Sequence, residues 1–430
     1  MSARISFTHP RDEILETMER IYDYRMTTTS GGNLSLRDED GDIWITPTRV
    51  DKGSLRREDI VRVRKDGTVE GLHPPSSELP LHLAIYQARP DLRGIVHAHP
   101  VALVAFSLVH DVPNTRLFHK ARTVCGEVGF APYELPGSEA LARNVEEIFR
   151  QGYHCVILEN HGVVTGGGKL LEAFDRFETL EFTGKTIIKA RQIGNVHYLT
   201  DQDIELSAQR PASLPVLERG APTSLEKELR RTLCEFVRRA YRQRLFISTQ
   251  GSFSVRLDES SLLITPFQVD RGRLDAQDLV LVSKGKSEAG KLPSFATSNH
   301  AAIYRQHPEV NAIINAYPVS ATAFSVTGVP LDTRTIPESY VVVRQIGQVK
   351  YGVQFQDSEA LARQVSPRQP AAILENDGVL VTGSDILEAY DRLEVLESTA
   401  EALINCGALG VRAPMSDDVL RQLEKAFLSF

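Results

Sequence analysis

Helical and strand periods succeed one another along the chain in a regular order. The stretch RDEILETMERIYDY places apolar residues three and four apart, which predicts an opening amphipathic helix. A glycine turn follows, then NLSLR alternates apolar and polar positions as a strand does. A turn (DEDGD) leads to a predicted strand, IWITPT, and IVRVRK predicts another. The helix LPLHLAIYQAR precedes the strand GIVHAHP. CVILENHGVVTG reads as one further strand, and LLEAFDRFETLEFTGKTIIKA as a closing helix. Short turns such as DGT favour antiparallel neighbours. The pattern predicts a layered α/β domain with a largely antiparallel sheet.

The pattern then repeats. SGGNLSLR (Ser30–Arg37) returns as TQGSFSVR (Thr249–Arg256), and ITPTRVDKGSL (Ile45–Leu55) as ITPFQVDRGRL (Ile264–Leu274). HLAIYQARPDLRGIVHAHPVALVAFS from His82 returns as HAAIYRQHPEVNAIINAYPVSATAFS from His300. ILENHGVVTG from Ile157 returns as ILENDGVLVTG from Ile373. The separation between matched positions drifts only from 219 residues (Ser30 to Thr249) to 216 (Ile157 to Ile373). A repeat this long means a tandem domain duplication and excludes a short-period solenoid. Proline and glycine cluster at Ser213–Ser224, and a new amphipathic helix starts there with Thr223 or Ser224 as its cap. The join is therefore expected between residues 1–214 and 215–430.

Composition narrows the class. The chain has 430 residues, 42% apolar and 24% charged, with a net charge of −7. This is the balance of a globular protein of two domains. No basic tract suggests nucleic acid; Arg238, Arg239, Arg242 and Arg244 are expected on an exposed helix face. No apolar run is long enough to span a membrane, and the N-terminus lacks a signal-peptide core. The four cysteines are scattered without CxxC spacing, which reads as reduced thiols and a cytoplasmic protein.

The histidines break the symmetry of the repeat. Of 12, ten lie at or before His197. His97 becomes Asn315, His99 becomes Tyr317, His161 becomes Asp377 and Glu78 becomes Ala296. Four polar side chains vanish together while the scaffold persists, as expected if they form one site. On a strand, residues two apart project from the same face, so His97 and His99 can converge on one ion. His161, from a different strand, would close a tripod and leave a position for water or substrate. Such a set suits zinc, with manganese, iron or cobalt open. His82 keeps a counterpart, His300, and reads as helix packing. His154 is expected at the end of a buried strand, and His73 and His119 in loops.

Together the glycine–asparagine turn, ITPT, SSE, HAH and HG motifs resemble the class II aldolase/adducin family over nearly all of each copy. That family includes L-fuculose-phosphate aldolase, epimerases and dehydratases of sugar phosphates, and the non-catalytic adducin branch. The resemblance implies two tandem three-layer α/β/α domains, each with a mostly antiparallel central sheet, the second degenerate. It assigns His97, His99 and His161 as zinc ligands and Glu78 as the catalytic carboxylate. Gly32, Asn33, Thr48, Ser76 and Ser77 match the positions that hold the substrate phosphate. The implied activity is a metal-dependent lyase that cleaves or forms a C–C bond in a small, phosphorylated ketose through an enediolate. An epimerase or dehydratase using the same site is the alternative, and an adducin-like interaction protein the third reading. Hydroxyls and backbone N–H groups are expected to cradle the phosphate without a lysine.

Two departures from the family stand out. Arg49 occupies a glycine position after ITPT, where it could pair with a phosphate or carboxylate or block the pocket. Phe118 lies near the position of a tyrosine acid that a neighbouring subunit supplies in the family; Tyr340 is a candidate replacement. The family's fourfold rings imply a homodimer whose four domains form a pseudo-fourfold ring.

Overall fold

The computed structural model describes residues 9–208 and 213–428. The chain divides into two compact units. The smaller takes the chain through Thr115 together with Lys120–Lys185. The larger takes Arg116–His119 and the chain from Thr186 onward.

In the first copy the elements run α1 (Pro10–Asp23), β1 (Asn33–Arg37), β2 (Ile43–Ile45), β3 (Val61–Val63), β4 (Val69–Glu70), α2 (Leu79–Ala88), β5 (Gly94–Ala98) and α3 (Val101–Leu108). They continue as α4 (His119–Cys125), β6 (Val128–Ala131), α5 (Glu139–Arg150), β7 (Cys155–Leu158), β8 (Gly162–Gly167) and α6 (Leu170–Ala190). The sheet order is β4-β3-β2-β1-β5-β8-β7-β6. Every pairing is antiparallel except β6 with β7.

Alternation along the central strands builds the layers. Val96, Ile157 and Val163 join Met18 of α1 and Phe174 and Phe177 of α6 in one core. Their neighbours Ile95, Val156 and Val164 join Ile85 of α2 and Val145 and Phe149 of α5 in another. Successive strand residues thus feed opposite faces, and each face is covered by helices, giving three layers. Burying one such Phe or Leu contributes about 1.5–3 kcal/mol.

The second copy repeats the arrangement. Its strands are β9 (Val216–Leu217), β10 (Ser252–Asp258), β11 (Ser261–Ile264), β12 (Val280–Ser283), β13 (Lys286–Glu288), β14 (Ala312–Ala316), β15 (Ile346–Val349), β16 (Ala371–Leu374) and β17 (Val379–Gly383). The order β15-β16-β17-β14-β10-β11-β12-β13 matches the first sheet strand for strand, with β9 added parallel to β13. The helices are α7 (Asp201–Ala208), α8 (Ser224–Arg242), α9 (Thr297–Gln306), α10 (Val319–Ser325), α11 (Pro337–Val342), α12 (Val353–Gln356), α13 (Ser358–Ala362), α14 (Ile386–Cys406) and α15 (Asp417–Leu423). Thr223 caps α8, accepting from Glu226 N–H at 3.2 Å. Arg238, Arg239 and Arg242 are exposed on that helix. All four cysteines are free thiols. Among the described residues no helix is long and apolar enough to cross a membrane.

Two local expectations change. CVILENHGVVTG is a hairpin and not one strand: β7 ends at Leu158, Asn160 turns in the left-handed region (φ 52°), and β8 starts at Gly162. IWITPT stops as a strand after Ile45, because Pro47 has no ladder donor and instead bridges Pro75. Helix α3 was not legible because its mean pattern is apolar throughout (VALVAFSL) and shows no stripe. It is fixed by tertiary contact: buried Glu181 of α6 accepts from the free N–H groups of Ala102 and Leu103 at 3.4 and 3.2 Å.

Candidate metal centre

His97 sits on β5 at the middle of the sheet, paired with Asn33 on β1 and Val164 on β8. It is fully buried. Its Nδ1–H donates to the Val163 carbonyl at 2.9 Å, which anchors the ring and turns Nε2 into the group. That Nε2 lies 3.2 Å from His99 Nε2 and 3.1 Å from Glu78 Oε2. His99 is one residue past the end of β5, just before Pro100, the N-cap of α3.

His161 arrives from the turn of the β7–β8 hairpin, not from within a strand. The turn must pass close to the end of β5. A Cβ on Gly162 would meet the Ala98 carbonyl and His99 Cδ2, both at 2.6 Å, so only glycine fits. The three rings form a near-equilateral triangle, with centroid separations of 5.0, 4.9 and 4.9 Å. One nitrogen from each lies within 4.8 Å of the others.

Glu78, at the N-cap of α2, closes the group. Its Oε2 accepts from Asn33 Nδ2 at 2.7 Å, while Oε1 lies 3.6 Å from His161 Nε2 and has no hydrogen-bond partner. Burial pushes this carboxyl up, but the charge and hydrogen bond of His97, with His161 and Asn33, outweigh it and hold the group ionised. Burial also lowers His99 to about 3 and His161 to about 4, each reinforced by repulsion from His97, so both present neutral lone pairs. Burial lowers His97 too, but Glu78 outweighs it and raises the group. Three convergent imidazoles, one with an anchored ring, beside a buried carboxylate oxygen without a donor fit a divalent cation.

His82 does more than pack its helix. Its Nε2–H donates to Asn33 Oδ1 at 2.5 Å, and its Nδ1 lies 2.6 Å from Ser35 Oγ, which in turn meets Tyr86 OH at 2.9 Å. This buried chain orients the Asn33 amide so that its NH₂ faces Glu78. Sequence alone does not show this, because His300 repeats His82 in the copy that lacks the other ligands.

Beside this cluster of side chains lies a cavity of about 210 Å³. Glu78, His99 and His161 line it. Gly32, Asn33, Thr48, Arg49, Ser76 and Ser77 contribute the rest together with Ser30, Gly31, Pro47, Lys52 and Pro136. His97 is not among the lining residues. The walls are tied together: Pro47 bridges Pro75, Thr48 N–H donates to Pro74 O at 3.2 Å, and Ser76 N–H to Thr46 O at 3.2 Å.

Lys52, which the sequence did not single out, also lines the cavity. Its Nζ donates to the Pro47 and Val50 carbonyls at 2.8 and 3.1 Å, leaving one of three donors for a ligand. The polar run DKGSL gave no sign that this side chain turns inward. Arg49 holds a left-handed backbone (φ 55°) with its side chain exposed at the cavity, so it lines the pocket without filling it. Phe118 is buried within the larger unit, and Tyr340 OH donates to Glu424 Oε1 at 2.6 Å; neither lines the cavity. His73 pairs with Asp59 at 2.9 Å. His119 stacks edge-on against Phe355 at 5.1 Å.

A family model described as the class II aldolase and adducin N-terminal domain matches residues 12–188 and again 231–404. The chain belongs to the class II aldolase and adducin family. An L-fuculose phosphate aldolase of Methanococcus maripaludis is 36% identical over 39% of this chain and 91% of its own length. A 3-oxo-tetronate 4-phosphate decarboxylase of Haemophilus influenzae is 33% identical over 43% of this chain and 89% of its own. A solved L-fuculose 1-phosphate aldolase is 32% identical, with a TM-score of 0.43, covering 46% of this chain and 94% of that one.

The second class II aldolase domain fills the ligand positions with hydrogen bonds. His300 Nε2 donates to Asn315 Oδ1 at 2.7 Å, and Tyr317 OH donates to Asp377 Oδ1 at 2.6 Å. Gln354 reaches the other Asp377 oxygen at 3.4 Å. The His300–Ser254–Tyr304 chain copies His82–Ser35–Tyr86.

Proposed function

We propose that the first copy is a metal-dependent aldolase-type lyase acting on a small phosphorylated ketose. One observation carries this reading: three imidazoles and an ionised carboxylate converge beside a small cavity also lined by hydroxyl, glycine and cation. We assign zinc to His97, His99 and His161, since three convergent imidazoles with an open position suit that ion. When bound, it would supply Lewis-acid polarisation of a substrate carbonyl. Glu78 moves the proton: Oε2 is held by Asn33 and His97, and Oε1 is left to take a proton from substrate. Gly32, Asn33, Thr48, Ser76, Ser77, Arg49 and Lys52 hold the phosphate end. Reduced thiols suit the cytoplasm, where we place the protein, and Ser213–Ser224 is where we join the copies.

A second reading, decarboxylation of a phosphorylated 3-oxo acid, is favoured by the two cations of the pocket, Arg49 and Lys52. Metal analysis tests the site: about one equivalent per chain, lost in His97→Ala, is expected. No metal after incubation with zinc or manganese would remove both readings. Assaying aldehyde against carbon dioxide release then separates them.

A further inference from the structure

One loop beside the cavity differs in length between the two copies. Both versions begin at a tyrosine held by a glutamate: Tyr133 N–H donates to Glu159 Oε2 at 2.7 Å, and Tyr351 N–H to Glu375 Oε2 at 3.0 Å. Both end at the sequence SEALAR, which starts at Ser138 and again at Ser358. Between these anchors the first copy has four residues, 134–137, and the second has six, 352–357. The longer version is a plug. It folds as α12, its Gln354 side chain reaches Asp377, the counterpart of His161, and its Gln354 carbonyl accepts from Asn299 Nδ2 at 2.9 Å.

The shorter version makes a bare turn. Ser138 N–H donates to the Leu135 carbonyl at 3.0 Å, with Pro136 and then Gly137 at the corner. Gly137 is left-handed (φ 79°), and proline followed by such a glycine is the pattern of a type II turn. Pro136 lines the cavity. Gly137 lies so near the Ser77 carbonyl that an added Cβ would stand 2.8 Å from its oxygen. That carbonyl belongs to the peptide joining Ser77 to Glu78, whose N–H donates to Ser76 Oγ at 3.2 Å. In the second copy Asp357 stands in place of the glycine, at φ −143°, and accepts from Ala360 N–H at 2.8 Å to cap α13. There Phe295, in the place of Ser77, stacks at 4.0 Å on Phe267, in the place of Thr48. The glycine and the hydroxyls it sits beside are lost together.

We propose that Gly137 is a positioning residue for the phosphate end of the cavity: the bare turn rests on the Ser77–Glu78 peptide and holds Ser76 and Ser77 toward the ligand. The inference rests on the phosphate reading given above and adds the contact that fixes it. A side chain at 137 must push that peptide aside, because the atom it meets is backbone and not the end of a flexible side chain. The same push displaces the start of Glu78, so one contact sets both the phosphate hydroxyls and the carboxylate.

Calorimetric titration of the full, metal-loaded chain with inorganic phosphate tests it. Gly137→Ala is expected to weaken phosphate by about tenfold with metal content unchanged, since small displacements of positioning groups are costly. Gly126→Ala separates contact from strain: Gly126 is also left-handed (φ 68°), but an added Cβ there meets nothing within 4 Å, and phosphate affinity should stay at the wild-type level. Gly137→Asn is the second variant, because asparagine tolerates a left-handed backbone yet still carries a Cβ. It should melt near the wild type and weaken phosphate as Gly137→Ala does. Ser77→Ala trims the same wall directly and shows that the probe reads it. Wild-type affinity in both Gly137 variants, or an equal loss in Gly126→Ala, would overturn the proposal and leave the metal-dependent lyase reading standing. No phosphate binding by the wild type, or unaltered affinity in Ser77→Ala, would overturn the phosphate assignment and this proposal with it.

Discussion

The two copies share sheet order, helices and a buried His–Ser–Tyr chain, yet only one gathers ionisable groups. In the first, three imidazoles and Glu78 crowd together with a carboxylate oxygen lacking a partner. In the second, Tyr317 and Asp377 satisfy each other and Asn315 takes the His300 proton. Buried polar groups are stable when paired, and a copy released from holding an ion closes its own network. At the ligand positions, the unpaired Glu78 oxygen therefore distinguishes the first copy better than the fold does.

The largest test of this contrast is Glu78→Gln, which keeps shape and removes the proton acceptor. Turnover should fall about 10²–10⁴-fold while metal content stays at the wild-type level. Unchanged turnover, measured by product release, would take Glu78 out of the chemistry. The reverse experiment rebuilds the second site with Asn315→His, Tyr317→His, Asp377→His and Ala296→Glu. Metal content should rise from one to two equivalents per chain; no rise would mean that the scaffolds differ in more than their ligands.

Acid sharpens the comparison without touching a ligand. Burial pushes His300 down to about 4 from its ordinary 6.5. Between those values the unfolded chain binds a proton that the fold excludes, so stability present above pH 6.5 falls as pH drops through this window. At pH 5 the loss is about 2 kcal/mol. Urea melts of His300→Gln at pH 7.5 and 5 should show a correspondingly smaller pH dependence; an equal one would mean that His300 already titrates in the fold. Tyr317→Phe leaves a buried carboxylate oxygen without its donor and should cost about 1–3 kcal/mol by melting, with metal content untouched. The smallest effect is expected for Arg49→Gly. It relieves a left-handed backbone by roughly 1 kcal/mol and raises KM for a phosphorylated substrate more than it lowers kcat. A fall in kcat alone would move Arg49 from binding to chemistry.

Sequence periodicity was sufficient for α1, β1, α2 and α6, because each buries one stripe or alternates along one strand. The duplication and the joint loss of His97, His99, His161 and Glu78 were also legible, since aligned copies expose substitutions that act together. Local pattern did not reach α3, whose start depends on Glu181 about 80 residues away, or the hairpin that delivers His161. Nor did it reveal Lys52 turning inward to two carbonyls, or His82 steering Asn33. These are decided by contacts between segments distant in the chain, where burial forces each donor to find an acceptor. The residue types that carry the chemistry are thus written in the sequence, but which nitrogen, oxygen or ammonium faces the cavity is settled only when the sheet, its turns and its helices close around them.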